Sequence, residues 1–489
     1  KFMRFINFLV PFIFGLVGIL SFAPFSIKFL IFISYSYLIY ILISDQKNDL
    51  FKIFIWGIGH WGFGMSWIIV SVYYYGETAI AITFLIYVLL VCILSIVFTC
   101  PIILIKKLLS LTNIKNNIYK TVLISSFLML SELSRYYLLN GVPWLIPGNI
   151  YLDTVTQNIY PLLGASGASI LIYLISSNLV IFYKQTRIFY IIIFLLVISI
   201  VPSHKIENVS DGIKVSIIQP SSDPFLKYKT DYYYEIEQNL LNLIQKTAKD
   251  TQLIVLPEAE LPYASDNPRF DSFINNVPQS ERIVMGLWNI EENELYNSIY
   301  SLENRDLYKK IHLVPFGEYI PFIESLRGLI SFFNLPMSNV SRGKKNQNNL
   351  HILSDMKVAT PICFDITFQE TIRKMNKNSL LMINISNDTW FGNSIGPHHH
   401  LEITRIRSIE NNRWTVRATN DGFSAFISNK GTVVSLLEKG ESNILESNVS
   451  LIKENSFFNK IGYLFAYIFT FLFITLYLLV LIWTKFIKK

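Results

Sequence analysis

Three side chains of complementary chemistry follow short apolar runs in the second half of the chain. Leu253–Leu256 leads through a proline into Glu258, the segment after Leu307 contains Lys310, and Lys357–Cys363 ends in a thiol. The three reactive residues are 52 and 53 positions apart, so each belongs to a different strand–helix unit. Functional residues of α/β folds tend to lie at the carboxyl ends of strands, and the pattern therefore indicates one shared site.

Together these residues would suffice for acyl transfer through a thioester. A thiol such as Cys363 attacks poorly until it loses its proton, and a carboxylate such as Glu258 can accept that proton. The ammonium group of Lys310 would stabilise the oxyanion of a tetrahedral intermediate, helped by a backbone N–H. Each residue also has a plainer interpretation: an acid at a helix N-terminus, a solvated lysine and a buried apolar cysteine. Residue types and spacing alone leave the function open.

The elements that would position these residues alternate between strand and helix. Asp231–Lys249 and Leu401–Arg413 have apolar residues at helical spacing. The buried strands are expected at Lys214–Gln219, Leu253–Leu256, Arg282–Trp288, Lys357–Cys363, Leu380–Ile385 and Ser424–Ser428. The alternation predicts a single α/β domain over about 250 residues.

The remainder of the chain is typical of a membrane protein. Of its 489 residues, 52% are hydrophobic and only 16% are charged, which excludes disorder and disfavours an ordinary cytosolic enzyme. Eight apolar segments are long enough to span a bilayer. They lie near 6–24, 27–44, 53–72, 78–105, 121–139, 160–183, 188–203 and 462–484. We expect the first to be an uncleaved span rather than a signal peptide.

The formal net charge of +7 would by itself suggest nucleic acid or an anionic membrane surface. Residues 1–203 carry 12 Lys and Arg against 5 Asp and Glu, whereas residues 204–484 carry 27 against 30. The excess positive charge therefore lies in the loops between spans and in the C-terminal tail, where it sets orientation. It predicts cytoplasmic termini, a domain outside the cytoplasmic membrane, and no nucleic-acid partner.

Longer strings of residues resemble a known family. The order Glu258, Lys310, Cys363 is that of the nitrilase (carbon–nitrogen hydrolase) superfamily. The strings Leu256–Ala259, His312–Tyr319 and Ser386–Gly392, together with Ala23–Phe25 and Val142–Leu145, resemble the apolipoprotein N-acyltransferase family. The resemblance covers essentially the whole chain.

The resemblance implies an α-helical membrane bundle of about eight transmembrane helices with an α/β nitrilase-like αββα sandwich. The implied domains are residues 1–203 (about seven helices), 204–461 (periplasmic and catalytic) and 462–489 (a last helix and a basic tail). It also implies a monomeric, multi-pass protein of the bacterial inner membrane. No cofactor or metal is expected.

The implied reaction has two steps. Cys363 would take an acyl chain from a phospholipid, usually phosphatidylethanolamine, and pass it to the α-amino group of a diacylglyceryl-modified apolipoprotein. Glu258 would be the general base and Lys310, rather than Lys309, the cation, because Lys310 lies eight residues before Glu318. The alternatives are a membrane-tethered nitrilase-type amidase that releases its acyl group to water, and a non-catalytic nitrilase-like scaffold.

Several residues are expected to support this site. Glu318 matches a second essential acid that would hold Lys310 or Glu258, and Asn387 and Asp388 belong to the family string that follows the strand Leu380–Ile385. The chain departs from the family where Phe364–Asp365 replaces Tyr–Glu and Tyr228 replaces Trp. We expect activity to survive these changes.

Other features have two interpretations each. We expect Trp390 and Phe391, and the segment 320–337 with Phe322, Phe332 and Phe333, to contact lipid rather than only to pack. His398–His400 is expected to be solvated or capping rather than to bind a metal, because no Cys or carboxylate cluster accompanies it in sequence. A Cys363–His399 dyad is a rival mechanism that Glu258 makes unnecessary. Intramembrane Glu132 and Arg135 would pair, or Arg135 would face a lipid headgroup.

Overall fold

A computed structural model describes residues 2–44, 48–110, 116–137, 141–183, 212–315, 317–319 and 339–487. The chain forms two compact units. The first contains Lys1–Trp67, Phe84–His204 and Ile461–Lys489, and the second contains Ile68–Thr83 and Lys205–Lys460. The short segment Ile68–Thr83, inserted between two helices of the first unit, therefore belongs by its contacts to the second.

The first unit is helical. Its helices are α1 (Phe2–Ile19), α2 (Leu30–Ile43), α3 (Asp49–Gly64), α5 (Ile80–Ser110), α6 (Asn117–Tyr137), α7 (Tyr160–Ile181) and, after the second unit, α13 (Leu464–Ile487). The short helix α4 (Trp67–Val70) lies mostly in the segment that belongs to the second unit. Helices α1 and α3 cross at glycines: a Cβ on Gly15 would lie 2.0 Å from the Trp56 oxygen. Gly59 likewise faces the Phe12 oxygen at 2.1 Å, so these backbones approach too closely for any other residue.

Among the described residues, two helices are long and apolar enough to cross a membrane, Ile80–Lys107 and Val155–Ile181. Asp49–Gly64 and Trp67–Tyr75 also pass as a pair, bent by 53°. Asn7–Ile19, Leu30–Ile43 and Leu464–Val480 are apolar but shorter. The eight expected spans are thus matched only in part, and the one near 188–203 lies outside the described residues.

Glu132 and Arg135 on α6 form a buried ion pair, as one of the two interpretations predicted. Arg135 also donates from Nη1 to the Trp144 oxygen at 2.9 Å, and its guanidinium lies 4.1 Å from the Trp61 ring centroid. Each charge is therefore neutralised by the other inside the helical unit, where an unpaired buried charge would be costly.

The second unit contains two six-stranded sheets. The first has the order β12-β1-β2-β3-β4-β5, with β1–β2 and β2–β3 parallel and the other pairs antiparallel. Its strands are β1 (Ile213–Gln219), β2 (Leu253–Val255), β3 (Ile283–Glu291), β4 (Glu294–Ser301), β5 (Leu307–Lys309) and β12 (Asn443–Val449). Helices α8 (Tyr233–Gln245) and α9 (Pro268–Asn276) cover one face, where Ile218, Ile254 and Met285 lie in the shared core.

The second sheet has the order β11-β10-β9-β8-β7-β6, with β7–β8 and β8–β9 parallel. Its strands are β6 (Leu350–Ile352), β7 (Met356–Ala359), β8 (Leu381–Ser386), β9 (Thr415–Thr419), β10 (Ser424–Ile427) and β11 (Val433–Leu437). Helices α10 (Gln369–Asn376) and α11 (Gly396–Asn411) follow β7 and β8, and α12 (Phe457–Ile461) ends the unit.

The two sheets meet through a buried polar contact. Gln219 Oε1 on the first sheet accepts hydrogen bonds from Thr419 Oγ1 at 3.2 Å and Ser424 Oγ at 2.6 Å on the second. On the outer side of the second sheet, Ser408 of α11 bonds to Thr415 of β9 at 2.6 Å. The unit is therefore a helix–sheet–sheet–helix sandwich, and the nitrilase-like layer order is confirmed.

The apolar runs predicted five strands well, since β1, β2, β3, β8 and β10 each lie at the expected place, but the parallel strand β9 was not predicted. The expected strand Lys357–Cys363 is wrong at its end. It stops at Ala359, and Cys363 instead begins a short 3-10 helix, Cys363–Thr367. Cys363 therefore lies on a turn beyond the strand.

Candidate active site

Glu258 is held in a tight turn after β2. An added Cβ at Gly286 on the adjacent strand β3 would lie 2.5 Å from the Ala259 nitrogen and 2.6 Å from the Glu258 Cα. Only glycine leaves room for this turn to press against the sheet. Glu258 therefore does not begin a helix, and its side chain is only 6% exposed.

Both oxygens of the Glu258 carboxylate have donors. Oε1 accepts from Lys310 Nζ at 3.0 Å and from Asn297 Nδ2 at 2.6 Å. Oε2 accepts from the backbone N–H of Asn387 at 2.8 Å. A buried carboxylate with this many donors is fixed in position, as a general base must be.

The two adjacent lysines point in opposite directions from the end of β5. Lys310 is 1% exposed, and its Nζ donates to Glu258 and, at 2.9 Å, to Glu318 Oε1. Lys309 instead pairs with exposed Glu291 and lies 4.0 Å from the Tyr296 ring. Alternation along a strand accounts for this difference, because successive side chains face opposite sides.

Glu318 and Asn297 complete the polar cluster. Asn297 on β4 was not anticipated from sequence; it donates to Glu258 and, at 3.0 Å, to Glu318 Oε1. Glu318 Oε2 accepts from the Val314 N–H at 2.8 Å, which closes the loop after Lys310. No local pattern marks Asn297, which is 1% exposed because of partners that are distant in sequence.

Cys363 lies on a turn of unusual backbone geometry. Its φ of 45° falls in the left-handed region, which non-glycine residues seldom adopt. Asp365, fully buried, holds this turn: Oδ1 accepts from the His312 N–H at 2.8 Å and Oδ2 from the Ile362 N–H at 3.3 Å. The acid two residues after Cys363 thus ties the nucleophile turn to the loop that follows Lys310.

The charges of the site act on one another. Burial opposes a charge on Lys310, but Glu258 and Glu318 outweigh it and raise the pKa of Lys310 well above its usual value. Burial, followed by the charge of Glu258, raises the pKa of the Cys363 thiol far above its usual value, although Lys310 lowers it. At neutral pH the site therefore holds a thiol, a charged ammonium group and a neighbouring base.

The remaining supporting residues surround this cluster. Phe364 packs edge-on against Phe368 with ring centroids 5.3 Å apart. Burial raises the pKa of Tyr228, which is close enough to Glu258 for that charge to contribute. Asn387 supplies its N–H to Glu258, and its Oδ1 accepts from the Thr389 N–H at 3.3 Å.

Two histidines of the run His398–His400 are buried, contrary to expectation. His399 and His400 are 2% and 1% exposed, so the prediction of solvated side chains is wrong for both. His400 reaches Asp388 Oδ1 at 2.8 Å, and Asp388 Oδ2 accepts from Arg417 Nη2 at 2.6 Å. Arg417 was not singled out from sequence, and His400 was considered only as part of the histidine run, because their partners lie on distant elements.

A carboxylate and a thiol do accompany His400 in space, contrary to the sequence-based argument. Donor atoms of Cys363, Asp388 and His400 lie within 4.8 Å of one another, a spacing at which a metal ion could be held. Both Asp388 oxygens and both His400 nitrogens are already engaged by protein groups. A metal would have to displace these partners, so we assign no metal site here.

The residues expected to contact lipid fall into two groups. Trp390 packs against Tyr75 of the segment Ile68–Thr83, with ring centroids 5.9 Å apart, and its backbone oxygen accepts from Ser71 Oγ at 2.7 Å. Phe391 is partly buried, 5.8 Å from the His400 ring. Phe322, Phe332 and Phe333 lie outside the described residues.

Known proteins match both parts of the chain. The model of the apolipoprotein N-acyltransferase N-terminal domain matches residues 14–178, and that of the carbon–nitrogen hydrolases matches residues 214–454. An apolipoprotein N-acyltransferase from Pasteurella multocida (strain Pm70) is 30% identical over 450 residues, which is 86% of this chain and 85% of that protein. The Haemophilus influenzae protein of that name is 30% identical over 467 residues, which is 89% of this chain and 87% of that protein. The Haemophilus ducreyi protein of that name is 28% identical over 483 residues, which is 94% of each chain. The chain therefore belongs to the apolipoprotein N-acyltransferase family.

Proposed function

We propose that this acyltransferase acylates the α-amino group of an S-diacylglyceryl-cysteine at the N-terminus of apolipoproteins, with a phospholipid as acyl donor. The observation that carries the proposal is the buried contact of Lys310 Nζ with Glu258 Oε1 at 3.0 Å, next to the thiol of Cys363. A nucleophile, a base and a cation are thereby available in one site, as acyl transfer through a covalent intermediate requires.

In the first half-reaction, Cys363 loses its proton to Glu258 and its sulfur attacks the carbonyl carbon of the donor's sn-1 ester. The negative charge that develops on the carbonyl oxygen pairs with Lys310. Collapse of the intermediate breaks the carbon–oxygen bond, and the departing alkoxide takes the proton from Glu258. The products are a thioester on Cys363 and a lysophospholipid.

In the second half-reaction, the amino group of the apolipoprotein attacks the thioester carbon and gives a proton to Glu258. Lys310 again pairs with the oxyanion. The carbon–sulfur bond breaks, and the thiolate of Cys363 recovers a proton from Glu258. An amide forms, and the enzyme returns to its starting state.

Phosphatidylethanolamine is our proposed donor, and the protein is proposed to act as a monomer on two membrane-anchored substrates. Incubation of the purified full-length protein with phosphatidylethanolamine vesicles should add one acyl mass to the peptide that contains Cys363. A Cys363→Ala variant is the control and should gain none. No added mass on wild-type Cys363 would contradict the mechanism, and free fatty acid in place of N-acylated peptide would indicate a hydrolase.

We further propose that the chain is a multi-pass protein of the bacterial inner membrane with eight spans. Residues 204–461 would form the periplasmic domain, and both termini would be cytoplasmic. Support comes from the distribution of positive charge among the short loops and from the apolar helices of the first unit.

Single introduced cysteines test this topology in a Cys92→Ala, Cys100→Ala, Cys363→Ala background, so that the introduced cysteine is the only thiol of the chain. Glu292→Cys lies on an exposed turn of the catalytic unit and Lys107→Cys at the exposed end of α5. An impermeant maleimide should label the first in intact cells and the second only after permeabilisation. The reverse pattern would overturn the proposed orientation.

We also propose that Trp390 borders the path of the acyl chain. Its ring packs edge-on against Tyr75, which in turn stacks on Phe225 with ring centroids 5.6 Å apart. A Trp390→Ala variant should raise KM for the phospholipid more than it lowers kcat, because the chemistry of Cys363 is untouched. An unchanged KM would argue that the ring only packs.

A further inference from the structure

Three buried residues behind the nucleophile have no part in the reaction described so far. Asp388 follows β8, Arg417 lies on β9, and His400 lies on α11. All three are at most 1% exposed. Burying two or three charged groups is costly unless they serve one another or a neighbour, so their arrangement needs a reason.

His400 bridges this group and the nucleophile. Its Nδ1 lies 2.8 Å from Asp388 Oδ1, and its Nε2 lies 3.2 Å from the backbone oxygen of Cys363. A carbonyl oxygen can only accept a hydrogen bond, so Nε2 carries a proton. The protonation of Nδ1 then decides the charge of the ring.

The ionised carboxylate of Asp388, like a carbonyl oxygen, can only accept hydrogen bonds. Burial opposes a charge on Asp388, but Arg417 and then His400 outweigh it and hold the pKa of Asp388 well below its usual value. Arg417 Nη2 lies 3.2 Å from Nδ1 and 2.6 Å from Asp388 Oδ2, and its two hydrogens could serve both acceptors. A bare Nδ1 would nevertheless face Asp388 Oδ1 at 2.8 Å, lone pair to lone pair, and a proton on Nδ1 turns this repulsion into a hydrogen bond.

The doubly protonated ring would act on Cys363 in two ways. Its Nε2–H holds the carbonyl of a residue whose φ of 45° is intrinsically unfavourable. Its positive charge also lies close to the sulfur, since donor atoms of His400, Asp388 and Cys363 are within 4.8 Å of one another. After burial and the charge of Glu258, the charge of Asp388 also raises the pKa of the Cys363 thiol, and the ring charge would oppose it.

We propose that His400 is a positioning residue for acyl transfer: an imidazolium that fixes the backbone of Cys363 and stabilises its thiolate. The proposal rests on the proposed function, in which Cys363 is the nucleophile. The groups that face the sulfur are Glu258 after β2, Lys310 after β5, and Ser386 with Asp388 at the end of β8. His400 would add the second positive charge to this set.

Alkylation of Cys363 tests the charge directly. In the full-length protein with Cys92→Ala and Cys100→Ala, Cys363 is the only thiol. The rate of its reaction with iodoacetamide is measured against pH. A glutamine in His400→Gln can still donate to the Cys363 carbonyl but carries no charge. The alkylation rate of Cys363 at pH 7 should therefore fall about tenfold, and the midpoint of the pH profile of that rate should rise by about one pH unit.

His398→Gln is the matched control, because His398 packs on Phe423 and is only partly buried. Its profile should match that of the parent protein, and thermal unfolding should show that both variants are folded. An unchanged midpoint in a folded His400→Gln variant would overturn the proposal.

A second measurement decides the matter if His400→Gln does not fold. In ¹⁵N-histidine-labelled protein at pH 8, with His351→Gln to remove the ring that pairs with Asp306, one imidazole should keep protons on both nitrogens. If every ring carries a single proton, His400 is neutral and the proposal is wrong. Both measurements report on the thiol and the ring rather than on acyl transfer, so a failure of the proposed reaction would be seen separately, in retained transfer by Cys363→Ala.

Discussion

Replacing Lys310 by methionine removes one charge and little volume, and its consequences follow from what Lys310 contacts. Its Nζ lies 3.0 Å from Glu258 and 2.9 Å from Glu318, and all three side chains are largely buried. Without the ammonium group, the Oε1 atoms of the two carboxylates share one donor, Asn297, and each Oε2 keeps one backbone N–H. One of them will then bind a proton, because like charges at this distance cannot both stay ionised cheaply.

The size of the effect has an upper bound. Protonating an ordinary glutamic acid with a pKa of about 4.3 at pH 7 costs about 3.7 kcal/mol, so the variant should lose up to about 4 kcal/mol of stability. In the variant the folded-state pKa of that carboxyl is raised, so the loss is absent below about pH 4 and grows as pH rises. Loss of the oxyanion partner should lower the acylation rate by a further factor of about 10² to 10³.

The assay follows thioester formation on Cys363 by intact-protein mass spectrometry, alongside thermal unfolding at pH 5 and pH 8. Lys309→Met is the matched control, because Lys309 pairs with a Glu291 side chain that is 57% exposed. Such a surface pair is worth about 0–1 kcal/mol, and the control should retain near-normal rates. Equal damage in both variants, or a Lys310→Met protein that forms thioester within about threefold of the wild-type rate, would refute the assignment.

Three further outcomes are expected. Cys363→Ser should form no thioester and transfer no acyl group, as shown by the acylation of a diacylated peptide, and transfer at the normal rate would exclude Cys363 as the nucleophile. Asn297→Ala should lower kcat about tenfold to a hundredfold while the protein stays folded, because Glu258 loses the donor at 2.6 Å; an unchanged kcat would mean that Asn297 only packs. Burial raises the folded-state pKa of Asp365 to about 7, so its stabilising contribution is complete below about pH 4 and is lost as pH rises through 7. In Asp365→Asn the unfolding temperature should depend less on pH between pH 4 and 8. Asp355→Asn, at an exposed position, should leave the pH dependence of the unfolding temperature unchanged.

The sequence predicted the most apolar strands of the sandwich and missed several of the more polar ones, for a physical reason. Parallel strands covered on both faces, such as β1 and β8, are continuous apolar runs that composition alone reveals. β12 (Asn443–Val449) pairs with β1 at the end of the first sheet and mixes polar with apolar residues, so nothing local marks it as a strand. Its register depends on contacts with β1, more than 220 positions away.

The same distinction applies to the site. Glu258, Lys310 and Cys363 were found because each has a reactive side chain at the end of an apolar run. Asn297 and Arg417 have no such mark: each is a polar residue within a strand, and it is buried only because distant partners accept its protons. Buried polar networks are built from long-range contacts, and the sequence contains their members without their pairing.

The presence of two carboxylates around one lysine is consistent with a site that keeps its net charge constant throughout the proposed reaction. With a neutral Cys363, the ionised Glu258 and Glu318 and the charged Lys310 sum to one negative charge. When the proton passes to Glu258 that charge moves to sulfur, then to the carbonyl oxygen, and back to Glu258 once the thioester forms. A buried site pays a large penalty for each uncompensated charge, so moving one charge around a fixed cation is easier than creating one. Glu318, in this view, keeps Lys310 in place at the moment when Glu258 is neutral and can no longer hold it.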